Sequence, residues 1–392
     1  MTKSPATLAF GGLLAMAAGI GIGRFVYTPI LPPMVEALGL TKSQAGLIAS
    51  ANFVGYLAGA LAAALRLPGT RRAWLMAALA VNIACLAAMG LTVSLPLFLL
   101  LRLAAGFASA FILIFASALV LDRLAAAGRS GLSAVHFAGV GSGIAASAAL
   151  VATLGDWRTM WFASAALALA ASAAVVKMVP PDPARAAGAA PQGRSRLSAR
   201  FLVLAGAYGL FGFGYIITAT FIVAMVRGTS TIAGLEPYIW VMFGLSAAPS
   251  VALWTRLGAR WGILATFSIA ALVEAVGVAA AALWVNAATV IVSSLFVGGT
   301  FMGLTALGLI AAREGDGDPR GRIALMTASF SAGQILGPAF AGYVYDLTGS
   351  LAVPSWCAAA ALVLAALLCA AIVRQRRPST ASASLAARRP EA

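Results

Sequence analysis

Acidic side chains are scarce in this sequence. Asp and Glu number 11 in 392 residues, histidine occurs once, cysteine three times, and charged residues of all kinds make up 9%. Soluble domains carry about 25% charged residues, so a water-solvated globule is excluded. Cys85, Cys357 and Cys369 all fall in apolar runs, where they read as small packing residues and form no disulfide framework or metal-ligand spacing. No nucleophile stands beside a base, no H-E-x-x-H occurs, and no glycine-rich phosphate loop is present. The expectation is no enzyme, no cofactor, no metal and no ATP-driven engine within this chain.

Apolar residues are abundant, at 62% of the chain. They gather in continuous runs of about 20 residues, the length that spans a bilayer as a helix. Continuous runs also exclude a β-barrel, whose strands alternate. The first run is too long for a cleavable signal segment, contains Arg24, and has only Lys3 ahead of it. Six runs lie within residues 7–179 and six more within 201–373, separated by a Pro-, Ala-, Gly- and Arg-rich stretch. The predicted fold is an all-α membrane protein with twelve transmembrane helices. Its expected organisation is a six-helix lobe over 1–180, a linker over 181–200, a second six-helix lobe over 201–373 and a tail over 374–392.

The net charge of +15 resembles a nucleic-acid signal until its distribution is read. With twelve spans both termini share one side, and 21 of the 26 Lys and Arg residues fall on that side. Lys42, Arg158 and Arg227 fall on the other, while Arg24 and Arg102 lie within spans. The positive-inside rule then puts both termini in the cytoplasm and the protein in the cytoplasmic (inner) membrane, with no nucleic-acid partner.

The halves repeat weakly. Gly21-Ile-Gly23-Arg24-Phe25 in the first span resembles Gly212-Phe-Gly214-Tyr215-Ile216 in the seventh. Gly139-x-x-x-Gly143 in the fifth resembles Gly333-x-x-x-Gly337-Pro338 in the eleventh, and the two offsets, 191 and 194 residues, agree. Internal symmetry at half the chain length marks secondary transporters built from parallel six-helix repeats.

Several motifs carry a resemblance to the major facilitator superfamily: Arg102-x-x-x-Gly106-x-x-x-Ala110, Gly333-x-x-x-Gly337-Pro338-x-x-x-Gly342, and Gly155-Asp-Trp157-Arg158. Gly21-Ile-Gly-Arg24-Phe-x-Tyr27-Thr28-Pro29, Gly55-Tyr56, His136-Phe-x-Gly-Val-Gly141 and Gly214-Tyr215-Ile-Ile-Thr218 resemble its YbfB/YjiJ branch more narrowly. The resemblance implies a monomeric transporter moving a small solute by alternating access. Helices 1, 4, 7 and 10 would line the central cavity and helices 2, 5, 8 and 11 would gate it. The family's usual aspartate is missing from Leu65-Arg66-Leu-Pro-Gly69-Thr-Arg71-Arg72, which puts a cytoplasmic charge latch of the usual kind in doubt.

Charge within a bilayer is expensive, on the order of 3 kcal/mol for an arginine at mid-depth, and marks function by default. Arg24 and Arg102 come to similar depth, and Glu274 is the sole carboxyl well inside a run. Two guanidiniums without acids suit a carboxylate, sulfonate or phosphate, so an organic anion is the expected substrate. Arg24, Tyr27, Thr28, Arg102, Tyr208, Tyr215 and Thr218 are the candidate substrate contacts. For Arg102 the competing reading is a structural pairing with helix carbonyls; for each hydroxyl it is packing. His136 and Glu274 are the candidates for proton coupling, against a satisfied boundary histidine and a neutral packed carboxyl. Gly139, Gly143, Gly333, Gly337 and Pro338 are the gating candidates, while Asn52, Asn82 and Gln334 read as interhelical hydrogen-bond glue. An intramembrane enzyme would require a polar catalytic pair at matched depth, and only the lone Glu274 is available. An exporter of amphipathic or cationic compounds calls for a cavity acid that is not evident. A non-transporting sensor calls for a signalling domain that the short tail does not supply.

Overall fold

The computed structural model describes residues 4–65, 67–180, 198–314 and 319–376. Most of the expected linker, most of the tail, and Arg66 lie outside the described residues. The described chain is helical from end to end. Seven helices precede the polar stretch or follow it directly: α1 (Pro5–Leu38), α2 (Lys42–Ala63), α3 (Arg71–Met89), α4 (Leu95–Ala126), α5 (Ser133–Val151), α6 (Trp157–Met178) and α7 (Ala199–Arg227). Then come α8 (Glu236–Ala247 continued by Ser250–Trp261), α9 (Ile263–Leu283), α10 (Ala287–Arg313), α11 (Pro319–Thr348) and α12 (Ala352–Arg376). Among the described residues eleven helices are long and apolar enough to cross a membrane, or twelve when the two pieces of α8, bent by 40°, count as one span. The protein is a multi-pass integral membrane protein.

Local sequence sets the helix ends. Thr41 and Gln44 form a reciprocal capping box at the start of α2, and Gly39 closes α1 with φ of 64°, a conformation that glycine adopts without penalty. The bend in α8 falls at Ala248-Pro249, where proline has no N–H to give the preceding turn.

The first helix is interrupted. Pro5–Met16 is α-helical, Ala17–Ile22 is a π-helical turn, and the chain resumes as α-helix only at Tyr27. Gly23 N–H reaches back five residues to Ala18 O at 3.0 Å. The sequence points to a bend near Gly21, Gly23 and Pro29. The break lies at the glycines, whereas Pro29 sits in the first turn of the resumed helix, where its missing N–H has no partner to lose. Glycine is required here by close approach: a Cβ on Gly21 would press on the Val140 carbonyl of α5, and one on Gly23 would collide with the Asn82 amide of α3.

A π turn frees carbonyls, and in a bilayer each must find a donor. Asn82 Nδ2 donates to Ala18 O (3.1 Å) and Ser109 Oγ to Gly19 O (2.8 Å). Arg102 takes the next two, donating to Gly23 O at 3.3 Å and Arg24 O at 3.1 Å, and Trp240 Nε1 donates to Phe25 O at 3.2 Å. The broken helix is thereby held by α3, α4 and α8.

Among the described residues, helices α1–α6 and α7–α12 meet along a seam whose contacts gather toward one face. We call this the turn face, because the α1–α2 and α7–α8 turns lie there. Its crossing pairs are α2 with α11, α5 with α8, and the Tyr27–Leu38 stretch of α1 with α7. Thr28 Oγ1 donates to Ala219 O (2.7 Å) and Ser50 Oγ to Ile335 O (2.7 Å). Asp346 of α11 accepts the backbone N–H groups of Lys42 (3.1 Å) and Ser43 (3.0 Å) at the start of α2, and Arg227 bridges Glu36 (2.7 Å) and Glu236 (3.1 Å). Toward the other face, the Pro5–Met16 stretch of α1 packs on α4, α5 and α6, and α10 packs on α7, α8, α9 and α11, each within its own half.

Candidate functional site

Arg24 stands where the π turn has unwound α1, and its surroundings are aromatic. Its Cζ lies 4.5 Å from the ring centre of Phe53, 4.7 Å from that of Tyr56 and 5.5 Å from that of Phe25. The residue is 6% exposed, and neither Nε nor Nη2 has a hydrogen-bond partner among the described residues. The π faces compensate part of the charge, each by roughly 2 kcal/mol when desolvated, but they accept no directed hydrogen bond in place of water. The guanidinium is a buried cation with donors to offer. Tyr56 and Tyr215 are its electrostatic neighbours, the latter reaching it from the second half.

Arg102 has the opposite environment. Two of its nitrogens hold the Gly23 and Arg24 carbonyls, its Cζ lies 4.9 Å from the Tyr27 ring, and its own carbonyl accepts from Asn52 Nδ2 at 3.0 Å. The sequence offered this residue both as a substrate contact and as a partner of helix carbonyls. The structure places it on the carbonyl of the very residue that carries the free cation and on that of the glycine before it.

The hydroxyl candidates separate similarly. Tyr27 Oη donates to Ala45 O (2.9 Å), Tyr208 Oη to Thr305 O (3.0 Å), and Thr28 to Ala219 O across the seam. Thr220 donates to Ile216 O of its own helix (2.7 Å), and Thr218 is buried one turn beyond Tyr215. Tyr215 is the candidate that faces Arg24, and its Oη accepts from Gln334 Nε2 of α11. Asn52, Asn82 and Gln334 each bond to another helix.

His136 is fully buried, with Nε2 3.0 Å from Ser117 Oγ and the ring against Gly12 of α1. It lies within the first half's own packing. Glu274 is also fully buried, in α9, and neither of its oxygens has a hydrogen-bond partner among the described residues. The nearby Thr300 hydroxyl donates instead to Phe296 O of its own helix at 2.6 Å. Through Tyr215, Glu274 is electrostatically linked to the layer that faces Arg24.

The glycine candidates pack inside the halves. Gly139 and Gly143 lie against Leu13 and Ala17 of α1, and Gly333 and Gly337 against Gly209, Phe213 and Ile216 of α7. The glycines at the seam are others: Gly141 meets Gly244 between α5 and α8, and Gly46 meets the carbonyl of Pro338 between α2 and α11. Of the five gating candidates, Pro338 is the one placed in close contact across the seam, through its carbonyl on Gly46. Sequence reasoning missed the ring layer of Phe301 and Phe330, and lone aromatics in apolar runs carry no signal that sets them apart. It also missed Asp122, which at 2.8 Å supplies Arg71 with the acid that the α2–α3 turn lacks. A cavity of about 180 Å³ opens at the turn face, lined in part by Pro33, Trp240, Arg227 and Glu236, and does not reach Arg24.

The fold is shared with solved transporters. The nucleoside transporter NupG superposes with a TM-score of 0.70 at 14% identity, over 94% of this chain and 99% of that one. A bacterial homologue of the human lysosomal transporter Spinster, in an inward-facing and unoccupied conformation, gives 0.68 at 14% identity, over 97% and 100%. Among curated proteins, a chloramphenicol resistance protein of Streptomyces lividans is 30% identical over 264 residues, 63% of this chain and 66% of that relative's length. Residues 16–370 match the family described as the uncharacterised MFS-type transporter YbfB, and the chain belongs to this family of transporters.

Proposed function

We propose that the protein is a secondary transporter that moves a small organic anion by alternating access, with Arg24 as its anion-binding group. The observation that carries this is the buried guanidinium whose Nε and Nη2 have no hydrogen-bond partner among the described residues, in a span with no acid beside it. A carboxylate or similar anion arriving between the halves supplies both the charge and the acceptors. Arg102 is then a positioning residue, holding the unwound backbone that presents Arg24. With the basic side of the chain in the cytoplasm, the turn face is the outer one. The closed seam there supports an inward-facing arrangement, and rocking about the α2–α11 and α5–α8 crossings exposes Arg24 to the other side.

Glu274 is the candidate for the coupling proton, because it is a buried carboxyl with neither oxygen hydrogen-bonded among the described residues, while His136 is held within the first half beside Ser117. Gradient-driven uptake into vesicles should fail in Glu274→Gln, while exchange of labelled for unlabelled solute persists. Loss of both activities, or of neither, removes Glu274 from coupling.

The anion reading is tested by thermal-shift screening of purified protein against organic anions, cations and neutral solutes, repeated on Arg24→Gln. Anions should stabilise the parent protein and leave the variant unshifted. The name of the curated relative favours a second reading, export of an uncharged drug-like compound. That reading predicts binding of neutral compounds that Arg24→Gln leaves intact.

A further inference from the structure

Opposite Arg24 the second half offers a layer of rings rather than a second charge. Tyr215 of α7 lies nearly parallel to Phe301 of α10 (centroids 5.5 Å, planes 11° apart) and to Phe330 of α11 (5.9 Å, 4°). Phe25, next to Arg24 in the chain, meets Phe301 edge-on across the seam at 5.7 Å and 68°. The layer therefore begins where the cation site ends. Arg24, Tyr56 and Phe330 are buried, and Tyr215 and Phe301 more fully still, so the site is closed in this arrangement.

Core packing alone would account for stacked rings. It does not account for the polar atoms left over along the edge of this layer. Phe330 and Gln334 stand one turn apart on α11 and so share a face. Gln334 bonds to Tyr215 through Nε2, while its Oε1 and the Ser331 hydroxyl are buried without a partner among the described residues. With Arg24, these atoms are buried polar groups without partners among the described residues, contributed by both halves of the molecule.

We propose that the transported solute is a flat aromatic carboxylate, held by its carboxylate on Arg24 and by its ring against the layer of Tyr215, Phe301 and Phe330. This rests on the anion reading above and narrows it. A saturated ring of equal charge and similar size fills the same volume but forfeits the ring–ring geometry, which is worth a factor of about three to ten in affinity.

The test is calorimetric titration of the purified full chain with benzoate, cyclohexanecarboxylate and benzyl alcohol, on the parent and on Arg24→Gln, Phe301→Leu and Phe330→Leu. Benzoate should bind about three- to tenfold more tightly than cyclohexanecarboxylate. That preference should disappear in at least one of the leucine variants while cyclohexanecarboxylate affinity is kept. Equal affinity for the two acids in the parent, or a preference that survives both leucine variants, overturns the aromatic assignment and leaves the anion reading standing. Benzyl alcohol binding as well as benzoate and persisting in Arg24→Gln, or neither acid binding at all, overturns the anion reading itself.

Discussion

Helices α1 and α7 occupy equivalent places in the two halves, yet one is broken and the other is not. The first is interrupted by a π turn at Ala17–Ile22, whereas the second runs without a break from Ala199 to Arg227. At matched positions the broken helix carries Arg24 and the continuous one carries Tyr215. The difference fits the division of labour proposed above. A broken helix can aim a cation into the seam because its carbonyls are held by other helices. A continuous helix keeps its carbonyls satisfied internally and serves as a flat wall.

The sharpest way to break that comparison is to remove the two arginines separately. Arg24→Gln deletes a buried cation that has no hydrogen-bond partner, so anion binding should fall by two orders of magnitude or more while the melting temperature holds or rises. Arg102→Gln leaves the Gly23 and Arg24 carbonyls without donors. That should destabilise the protein by roughly 2–3 kcal/mol, seen as a melting temperature lower by several degrees, with binding weakened as the site loosens. Should Arg102→Gln melt like the parent but lose binding as completely as Arg24→Gln, both arginines contact the solute and the division of labour is wrong.

A smaller effect sharpens the same point. Ser109→Ala removes the donor to Gly19 O, inside the π turn, and should lower stability by about 1 kcal/mol or less. Its anion affinity should change less than that of Arg102→Gln, since Gly19 lies a turn away from the residue presented. A larger affinity loss than Arg102→Gln would place the critical support at the start of the break.

Much of this was legible in the sequence because membrane physics leaves few options. Runs of the right length, the side preference of Lys and Arg, and half-chain repeats suffice for twelve helices. Arg24 announces itself because charge at that depth is costly wherever the side chain points. What the side chain touches was not legible. Arg102 and Arg24 look alike as letters, and only the π turn, which exposes carbonyls to the first and not to the second, separates them. The gating glycines show the same limit: spacing reveals that a helix can be approached closely, but not by which neighbour. Gly139 and Gly143 face α1, while Gly141, between them, faces α8. Two positions along the chain, about 200° around the helix axis, decide it.

The weakest of the predicted effects concerns the seam that closes over Arg24. Asp346 accepts two N–H groups from the first turn of α2, at 3.1 and 3.0 Å, and its charge lies at the positive end of that helix. This contact joins the halves and exists only while the turn face is shut. Asparagine keeps the shape but offers a single oxygen and no charge, so Asp346→Asn should weaken the closed state by about 1 kcal/mol. That corresponds to a shift of roughly fivefold toward the state open at the turn face. Spin labels placed on α2 and α11 near this contact should report it as a larger population of long distances. Protonating the carboxylate removes one acceptor and the charge, so acidifying the medium at the turn face should move the parent the same way and the asparagine variant less. The Arg227 bridge, with its partner Glu36 side chain 60% exposed, is screened by water and should contribute less. A distance distribution that ignores both Asp346→Asn and acid would mean that the glycine crossings alone, Gly46 on Pro338 and Gly141 on Gly244, hold the seam closed.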